Sequence, residues 1–256
     1  MVEIKRKAAL VTGAGKRIGR AIALDLASSG WAVGVHYFGS KPEADEVVDE
    51  IRNGGGKAVA LQANLASESD VASLLPLARE QLGPVTCLVN NASRFERDDA
   101  LDATRESWDL HMETNLRAPF VLSQCFAREL PDDECGTIVN VLDQRVWNLT
   151  PHFLTYTLSK AGLWTLTRTL AMALAPRIRV NAIGPGPTLP NERQREEDFT
   201  AQCESVPLQR GTTPEEICHA IRFILDAPAL TGQMIALDGG EHLGWAQPGR
   251  GFTPVE

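Results

Sequence analysis

A tyrosine and a lysine spaced like one turn of a helix are the residues of this chain that could transfer a proton. Tyr156 and Lys160 lie in a long run of apolar periodicity from residue 151 to residue 175. Because an α-helix turns by about 100° per residue, side chains four positions apart project from the same face. A lysine near a phenol favours the phenolate, so we expect the pKa of Tyr156 to lie below its usual value of ~10. The alternative is an exposed tyrosine and a solvated lysine on a surface helix.

Length and composition indicate an ordinary globular protein with one core. The chain has 256 residues, of which 43% are hydrophobic and 23% are charged, and we predict a single domain over residues 1–256. Its net charge of −8 argues against nucleic acid as a partner, because affinity for nucleic acid comes from clustered Lys and Arg. The five cysteines contain no C-x-x-C pair, so we expect neither a disulfide framework nor a metal site.

No segment of the sequence predicts contact with a membrane. No apolar run approaches the ~20 residues that a membrane-spanning helix needs. The N-terminus leads into the first expected strand without an apolar signal region. We therefore expect a cytoplasmic protein.

Short β-like runs alternate with longer helical runs along the chain. This order is typical of βαβ units, so we predict an α/β fold, a doubly wound, Rossmann-like parallel sheet of about seven strands with helices on both faces. The expected strands span residues 8–12, 31–37, 57–62, 85–90, 137–142, 178–182 and 233–237, and the longest expected helices span residues 18–29, 67–82, 115–130 and 151–175. Residues 187–211 are polar and punctuated by prolines, which suits a lid over a substrate site.

A glycine-rich turn follows the first expected strand and opens a helix. It reads Thr12-Gly13-Ala14-Gly15-Lys16-Arg17-Ile18-Gly19. Glycines let the backbone approach a pyrophosphate, while the helix N-terminus supplies N–H groups and the positive end of its dipole. The turn therefore predicts a dinucleotide site, with a glycine-rich turn that binds no ligand as the alternative.

Several landmarks in the same order resemble the short-chain dehydrogenase/reductase family. They are the glycine-rich turn, where Arg17 replaces the middle glycine of the family's T-G-x-x-x-G-x-G pattern, then Asn90-Asn91-Ala92, Asn115, Tyr156-x-x-x-Lys160 and Pro185-Gly186. The resemblance implies a catalytic set of Tyr156, Lys160 and Asn115, in which the asparagine kinks its helix and orients the lysine through water. It also implies that these residues contact the cofactor: Gly13, Arg17, Ile18, Gly19, Asn91, Ala92, Ser93, Tyr156, Lys160, Pro185, Gly186 and Thr188.

The end of the second expected strand predicts which cofactor binds. NAD-selective versions of this fold carry an Asp or Glu there, and that carboxylate would repel a 2′-phosphate. The segment here reads His36-Tyr37-Phe38-Gly39-Ser40-Lys41 and has no acid. Lys16, Arg17 and Lys41 add positive charge nearby, so NADPH/NADP is the expected cofactor.

Further cofactor contacts are expected from this segment and from the end of the third strand. His36, Tyr37 and Ser40 resemble the NADPH segment of one branch of the family, and the Ser40 hydroxyl could donate to the 2′-phosphate. For Ser40 the alternative is a role as the N-cap of the next helix. Asn64 and Leu65 are expected at the adenine; family members commonly carry Asp at the first position, and Asn64 can still accept through its carbonyl oxygen.

An aspartate stands where the family usually has its catalytic serine. Asp143 lies thirteen positions before Tyr156, at the end of the fifth expected strand. A serine hydroxyl donates a hydrogen bond to a substrate carbonyl, whereas an ionised carboxylate only accepts. Asp143, Arg17 and the segment Asn91-Ala92-Ser93-Arg94-Phe95 together resemble the pteridine reductases and the bacterial dihydromonapterin reductases. Gly39 departs from that branch, because some members carry an arginine there.

The resemblance implies a substrate-binding set for a flat pterin ring. Phe95 can stack on one face of the ring, and Tyr156 would donate a proton to a ring nitrogen. Asp143 would hydrogen-bond the phenol and relay protons, while Arg17 and Ser93 would bind the polar edge of the ring or the cofactor phosphates. The alternatives are a loop cap for Asp143, core packing for Phe95, and incidental polar positions for Arg17 and Ser93.

Three functions therefore remain open. The first is an NADPH-dependent reductase of a dihydropterin-type substrate, and the second is a short-chain reductase of another carbonyl or imine substrate. The third is a nucleotide-binding protein that has lost turnover, which the intact Tyr156 and Lys160 disfavour. The family is usually tetrameric or dimeric, with helices equivalent to residues 115–130 and 151–175 between subunits, so we expect a homo-oligomer. Residues 238–245 could close against a neighbour's site.

The acid-free segment after the second strand generates the first testable prediction. We expect a much lower KM for NADPH than for NADH, because no carboxylate is predicted to repel the 2′-phosphate. Initial rates with the two cofactors at saturating substrate measure the two constants. Equal constants would contradict a 2′-phosphate site.

Overall fold

Seven parallel strands form one sheet, as the alternation in the sequence predicted. The computed structural model describes residues 6–190 and 194–244. Its strands are β1 (Ala8–Val11), β2 (Ala32–Tyr37), β3 (Ala58–Gln62), β4 (Cys87–Asn90), β5 (Gly136–Val141), β6 (Ile178–Pro185) and β7 (Met234–Leu237). They lie in the order β3-β2-β1-β4-β5-β6-β7, and every neighbouring pair is parallel. The predicted doubly wound fold is confirmed.

Helices cover both faces of the sheet. They are α1 (Arg17–Ser28), α2 (Lys41–Asn53), α3 (Glu68–Leu82), α4 (Arg105–Met112), α5 (Ala118–Glu129), α6 (Leu154–Ala173), α7 (Glu196–Glu204) and α8 (Pro214–Asp226). A π-helical turn, Glu113–Arg117, joins α4 to α5, and short 3₁₀ helices span Gln144–Val146 and Glu241–Leu243. Within the described residues no helix is both long and apolar enough to cross a membrane.

Alternation along the strands divides the apolar core into two layers. In β1, Ala9 and Val11 face one layer with α1, α2 and α8, whereas Leu10 faces the other with α3, α5 and α6. Successive side chains of a strand point to opposite faces, so a strand buried on both sides reads as a continuous apolar run. This explains why the short strands of the sequence are apolar throughout.

The strand order reverses between β1 and β4, and the carboxyl ends of these two strands form a crevice. Thr12 closes this crevice from below, because its Oγ1 accepts the backbone N–H groups of Asn91 at 2.9 Å and of Ala92 at 3.0 Å. Open parallel sheets bind their ligands at such a reversal point. The glycine-rich turn and the segment after β4 are therefore adjacent.

The strand bounds differ from the predicted ones by up to three residues, and β6 differs most. β6 was expected to end at Ala182 but continues to Pro185, because Gly184 and Pro185 pair with Ala236 and Leu237 of β7. The pairing carries Pro185 to the carboxyl edge of the sheet.

A chain of buried hydrogen bonds fixes α6 to the centre of the sheet. Asn90 Nδ2 donates to Asn140 Oδ1 at 2.8 Å, and Asn140 Nδ2 donates to Thr167 Oγ1 at 2.9 Å. Gly162 faces Leu116 of the π-helical turn so closely that a Cβ would lie 2.8 Å from a leucine methyl. These contacts set the position of α6, the helix that carries Tyr156 and Lys160.

Three predicted features lie outside the described residues, wholly or in part. The N-terminal segment 1–5 is one, and Glu192 and Arg193 of the predicted lid are another. The third is Trp245, at the end of the C-terminal segment that was expected near a neighbour's site.

The buried chain at Thr167 generates a stability prediction. Thr167→Val keeps the side-chain shape but removes the acceptor of the Asn140 amide, so we expect unfolding free energy to fall by about 1–3 kcal/mol. Urea denaturation followed by circular dichroism measures this loss. The exposed Thr165→Val on the same helix is the control, with an expected change within about 0.5 kcal/mol. Equal effects of the two substitutions would contradict a special role for the buried chain.

Candidate active site

The predicted catalytic residues meet where β5 ends and α6 begins. Tyr156 Oη donates a hydrogen bond to Asp143 Oδ2 at 2.8 Å. Lys160 Nζ donates to the carbonyl of Val141 at 2.8 Å, and it lies 5.8 Å from the centroid of the Tyr156 ring. Tyr156 and Lys160 are both buried. The carboxylate and the phenol are thus in direct contact, and the ammonium lies over the ring.

The pKa of Tyr156 moves in the opposite direction from the sequence expectation. Burial raises the pKa of Tyr156 well above its usual value, and the charge and hydrogen bond of Asp143 raise it further. The Arg145 guanidinium opposes this shift. The expectation of a lowered pKa was wrong. Lys160 donates its hydrogen bond to the Val141 carbonyl, and the Tyr156 hydroxyl donates to the Asp143 carboxylate. Tyr156 therefore stays protonated at neutral pH and can act as a proton donor.

Lys160 titrates near physiological pH. Burial lowers the pKa of Lys160 from 10.5 to about 8, although the Asp143 charge opposes the shift. Below this value the side chain carries a positive charge beside the carboxylate and the phenol. The free protein loses that charge as the pH rises through about 8.

Asp98 positions the first turn of α6 from a distant loop. Phe153, the residue before the helix, provides no side-chain cap, and the Thr155 N–H instead donates to Asp98 Oδ1 at 3.1 Å. Asp98 Oδ2 accepts from Ser107 at 2.9 Å and from the Thr155 hydroxyl. Burial raises the pKa of Asp98, but the hydrogen bonds from Thr155 and Ser107 outweigh it and hold the pKa low. A carboxylate at a helix N-terminus also stabilises the helix dipole.

Asn115 has a positioning geometry and does not line the cavity beside Tyr156. It lies in the π-helical turn, which agrees with the predicted kink. Its Oδ1 accepts the Arg94 N–H at 2.8 Å, and its Nδ2 donates to the Arg94 carbonyl at 2.9 Å and to Ser159 Oγ at 3.1 Å. Asn115 thus clamps the segment after β4 onto α6, and its side chain makes no direct hydrogen bond to Lys160.

Two phenylalanines form an aromatic wall beside the Asp143 and Tyr156 pair. The rings of Phe95 and Phe153 stack with centroids 4.5 Å apart and an angle of 6°. Tyr156 meets Phe95 edge-on at 4.7 Å, and the Arg145 guanidinium lies 5.5 Å and 5.2 Å from the centroids of Phe95 and Phe153. Phe95 therefore lines the cavity, but Phe153 already covers one face of its ring.

The glycine-rich turn forms a backbone cradle. A Cβ on Gly19 would lie 2.1 Å from the Gly13 carbonyl oxygen, and one on Gly13 would lie 3.0 Å from the Cα of Ala92. Asn91 Nδ2 donates to the carbonyls of Thr12 and Gly13 at 2.8 Å and 3.2 Å. A Cβ at either position would collide with neighbouring protein atoms, so the tight turn needs glycine at both, as dinucleotide-binding turns do.

Arg17 adopts the backbone conformation that the family pattern reserves for glycine. Its φ is +53°, in the left-handed region. Its guanidinium donates to the carbonyls of Leu189 at 3.0 Å and Pro190 at 2.6 Å. Arg17 thus lines the turn and also holds the segment after β6.

His36 and Tyr37 hold the turn from below. Gly13 N–H donates to His36 Nδ1 at 2.9 Å, and the other ring nitrogen pairs with the Ala63 carbonyl at 3.2 Å. Burial lowers the pKa of His36 to about 4, so the ring is neutral near pH 7. The Tyr37 side chain packs in the core layer with α1 and α2, so only its backbone remains for a cofactor contact.

A cleft of about 600 Å³ runs from the glycine-rich turn past Ser40 to Asn64 and Leu65. Among the described residues no carboxylate lines it, whereas Lys16, Arg17 and Arg94 do. Ser40 occupies the N-cap position of α2 but makes no capping hydrogen bond, so the N-cap alternative does not account for its hydroxyl. The cleft therefore presents positive charge and a hydroxyl where a 2′-phosphate is expected.

Lys41 departs from its predicted role. Its ammonium pairs with Asp45 at 2.5 Å on the exposed side of α2, and it does not line the cleft. Positions four apart on a helix form such pairs readily, which is why the nearby charge was misassigned. Lys16, also expected to add charge, lines the cleft and pairs with Glu43 at 2.7 Å.

Asn64, which was expected at the adenine, lines the cleft, and its carbonyl oxygen already accepts a hydrogen bond. Asn64 Oδ1 accepts the Ala66 N–H at 3.0 Å, and the Asn64 N–H donates to Asp70 at 3.0 Å. These bonds hold the segment after β3 in place, and Leu65 lines the cleft beside them.

A second cavity of about 560 Å³ contains the catalytic pair and shares Arg17, Ile18, Asn91 and Ser93 with the cleft. Pro185, Gly186 and Thr188 line it, and Gly186 packs so tightly that a Cβ would lie 2.7 Å from Asp238. Ser93 lies between the two cavities and donates to Asn115 Oδ1 at 3.3 Å. The two cavities therefore adjoin each other.

The two ends of the predicted lid lie next to each other. Thr212 N–H donates to the Pro187 carbonyl at 2.9 Å, and α7 supplies Phe199 and Gln202 to the cavity wall. Residues 238–244 lie beside the cavity of their own chain, where Asn148 Nδ2 donates to the Glu241 carbonyl at 2.9 Å. Both segments therefore border the cavity that contains Asp143 and Tyr156.

Sequence reasoning missed several cavity residues. Gln144 and Arg145 directly follow Asp143, so adjacency was an available signal. Phe153, with a φ of +60°, precedes the helix of Tyr156, and no sequence pattern marks a residue in that conformation. The lid residues Gln194, Phe199 and Gln202 carried no signal beyond their place in a polar stretch.

The chain belongs to the short-chain dehydrogenase/reductase family. The family model described as Enoyl-(Acyl carrier protein) reductase matches residues 13–242. A 3-oxoacyl-[acyl-carrier-protein] reductase of Synechocystis sp. is 34% identical over 244 residues, which cover 94% of this chain and 98% of that relative. The resemblance stated for the sequence is thereby confirmed.

Two solved structures are more similar still. FolM Alternative dihydrofolate reductase 1 from Brucella canis, complexed with NADP, has a TM-score of 0.93 and 47% identity, and the match covers 98% of this chain and 99% of that one. The FolM Alternative dihydrofolate reductase 1 from Brucella suis in complex with NADP has a TM-score of 0.92 and 48% identity, with coverage of 97% and 99%.

The Asp143 contact generates a catalytic prediction. Asp143→Ala is expected to lower kcat with 7,8-dihydrobiopterin by about tenfold or more, because the carboxylate orients the Tyr156 hydroxyl. The Kd for NADPH should change little. Removing the Asp143 charge also lowers the pKa of Tyr156, so activity at high pH should fall at a lower pH than in the wild type.

NADPH oxidation across a pH series and NADPH fluorescence titration make these measurements. Asp132→Ala, an exposed aspartate paired with Arg177 at 3.4 Å, is the matched control and should behave as the wild type. Normal turnover by Asp143→Ala would exclude the carboxylate from the proton relay.

Proposed function

We propose that this protein is an NADPH-dependent reductase of a dihydropterin-type (pteridine) substrate. The observation that carries the proposal is the Asp143 carboxylate bound to the Tyr156 hydroxyl at 2.8 Å beside an aromatic wall. Most members of the family are expected to have a serine there, which would donate to a substrate carbonyl. An ionised carboxylate only accepts hydrogen bonds. It therefore suits a substrate in which a ring nitrogen takes a proton from Tyr156, and it does not suit one whose carbonyl oxygen needs a second hydrogen-bond donor.

The cleft fits a reduced dinucleotide with a 2′-phosphate. Gly13 and Gly19 would let the backbone approach the pyrophosphate, and Ser40, Lys16 and Arg17 would bind the phosphate groups. The bound cofactor supplies the hydride. Leu65 and Asn64 would border the adenine, and Lys160 would hold the ribose of the nicotinamide.

Tyr156 holds the proton that the substrate receives. The raised pKa of Tyr156 keeps the phenol protonated until a strongly basic ring atom lies next to the hydroxyl. The proton is therefore transferred only when such a substrate is bound. Loss of that proton leaves a phenolate beside Asp143, and two adjacent negative charges are unfavourable. The positive charges of Lys160 and Arg145 offset them, and Asp143 can guide a new proton from water to the phenolate.

The shape of the second cavity suits a flat ring. Phe95 and Phe153 provide an aromatic surface against which a heterocycle packs in an offset or edge-on arrangement. At about 560 Å³ the cavity has room for a pterin and a substituent that extends toward α7. The similar FolM structures are described as dihydrofolate reductases, and a dihydrofolate contains a pterin ring.

A second function remains a candidate. The 3-oxoacyl-[acyl-carrier-protein] reductases at 34–35% identity favour reduction of a carbonyl group on an acyl thioester. The aspartate at position 143 disfavours this function, because an ionised carboxylate repels a carbonyl oxygen that gains negative charge.

We also propose a homo-oligomer, either a tetramer or a dimer. The support is the family resemblance, in which helices equivalent to residues 115–130 and 151–175 lie between subunits, and Leu158 and Met172 of α6 expose 44% and 75% of their surfaces. The cytoplasmic location stays a prediction from the sequence.

A substrate panel tests the proposed function. NADPH oxidation is followed with 7,8-dihydrobiopterin, dihydromonapterin, dihydrofolate, an acetoacetyl thioester and simple ketones. We expect kcat/KM for at least one pterin to exceed every ketone and thioester by about a hundredfold, equivalent to roughly 2.7 kcal/mol in transition-state binding.

The other outcomes each contradict the proposal. A preference for the thioester or a ketone would assign the protein to the second function. Binding of NADPH without turnover of any compound would indicate a nucleotide-binding protein. Tyr156→Phe serves as the control for enzyme-catalysed oxidation, since it keeps the ring and removes the transferable proton.

A further inference from the structure

Arg145 lies in the substrate cavity with unused hydrogen-bond donors. Its backbone N–H donates to Asp143 Oδ1 at 2.8 Å, and its Nη1 forms an ion pair with Asp143 Oδ2 at 3.5 Å. Only 18% of its side chain is exposed. Within the part of the chain that the structure describes, the guanidinium donates no hydrogen bond, and its buried Nε has no acceptor.

A guanidinium whose buried Nε has no acceptor needs an explanation. Arginine carries five N–H donors, and buried polar groups in folded proteins are nearly always hydrogen-bonded. Packing against Phe95 and Phe153 accounts for the position of the cation but satisfies none of the donors. A ligand with an acceptor atom would satisfy them.

Arg17 is a less suitable partner for the ring in this structure. Both of its terminal nitrogens donate to the backbone carbonyls of Leu189 and Pro190, at 3.0 Å and 2.6 Å. Among the described residues that line the cavity, Arg145 is therefore the arginine whose guanidinium N–H groups form no hydrogen bond and can bind a ligand.

The location of Arg145 determines which part of a substrate it meets. Its guanidinium carbon lies 5.5 Å from the centroid of Phe95, and the carboxylate it pairs with also holds the Tyr156 hydroxyl. Arg145, Phe95 and Tyr156 line the same cavity, so a flat ring placed between the hydroxyl and the aromatic wall can present an edge to the guanidinium.

We propose that Arg145 recognises an exocyclic oxygen on the edge of the bound ring and thereby selects heterocyclic lactams over rings that carry an amino group at that position. This inference rests on the proposed function. The chemistry is that by which arginine distinguishes guanine from adenine, since a fork of N–H donors matches a carbonyl oxygen and opposes an amino group. Arg145 is a specificity-determining residue in this account, and Tyr156 remains the proton donor.

Two rings that differ in one exocyclic group test the proposal. Pterin carries an oxygen where 2,4-diaminopteridine carries an amino group, and the Kd of each is measured by calorimetry on the full-length protein saturated with NADP⁺. Arg145→Met is expected to weaken pterin binding by about tenfold or more, while the Kd of 2,4-diaminopteridine changes by less than about threefold. Arg145→Lys, which keeps the charge but not the fork, should restore part of the pterin affinity.

Arg117→Met is the matched control. Arg117 also lies over an aromatic ring, 5.5 Å from the centroid of Phe120, and pairs with Glu68 at 2.8 Å, but it is remote from the cavity. Both Kd values should stay at the wild-type level in this variant. Circular dichroism of every variant checks that the fold is retained.

Three outcomes would overturn the assignment of Arg145. Equal weakening of both rings in Arg145→Met would indicate a packing role only, and unchanged binding of both would indicate no role. Failure of pterin to bind the wild-type complex would also reject it. The substrate panel tests the proposed function separately. Wild-type turnover of a dihydropterin does not depend on which residue binds the exocyclic oxygen of the ring.

Discussion

The buried hydrogen bond between Tyr156 and Asp143 is the contact on which the rest of the site depends. It joins the first turn of α6 to the end of β5, so both elements must be held to within a fraction of an ångström. Asp98 caps the helix start from a distant loop, and the chain through Asn140 and Thr167 fixes the helix to the sheet. These buried polar contacts therefore help to hold the Tyr156 hydroxyl next to the Asp143 carboxylate.

That contact also explains the distribution of charge. A carboxylate beside a buried phenol makes the phenol a reluctant acid, and the pKa of Tyr156 rises accordingly. A proton donor of this kind needs nearby cations if it is to release its proton. Lys160 lies over the Tyr156 ring and Arg145 pairs with Asp143, and the pKa of Lys160 near 8 shows that its burial is only partly offset by the carboxylate.

The charge of the cofactor cleft depends more on the absence of Asp and Glu side chains than on any single Lys or Arg. Among the described residues no carboxylate lines the cleft, and this agrees with the acid-free segment after β2 in the sequence. The detailed assignment of charge was less accurate. Lys41 turns to Asp45 within its own helix, whereas Arg94, which was not predicted to contribute, lines the cleft.

The sequence by itself determined the sheet, the glycine-rich turn, the family and the spacing of Asp143, Tyr156 and Lys160, because these depend on local periodicity and on short motifs. Only the tertiary structure decided the direction of the Tyr156 pKa, the stacking of Phe153 on Phe95 and the open fork of Arg145. Burial and contacts between residues far apart in the chain set these properties, and a one-dimensional pattern does not encode the distance between two side chains.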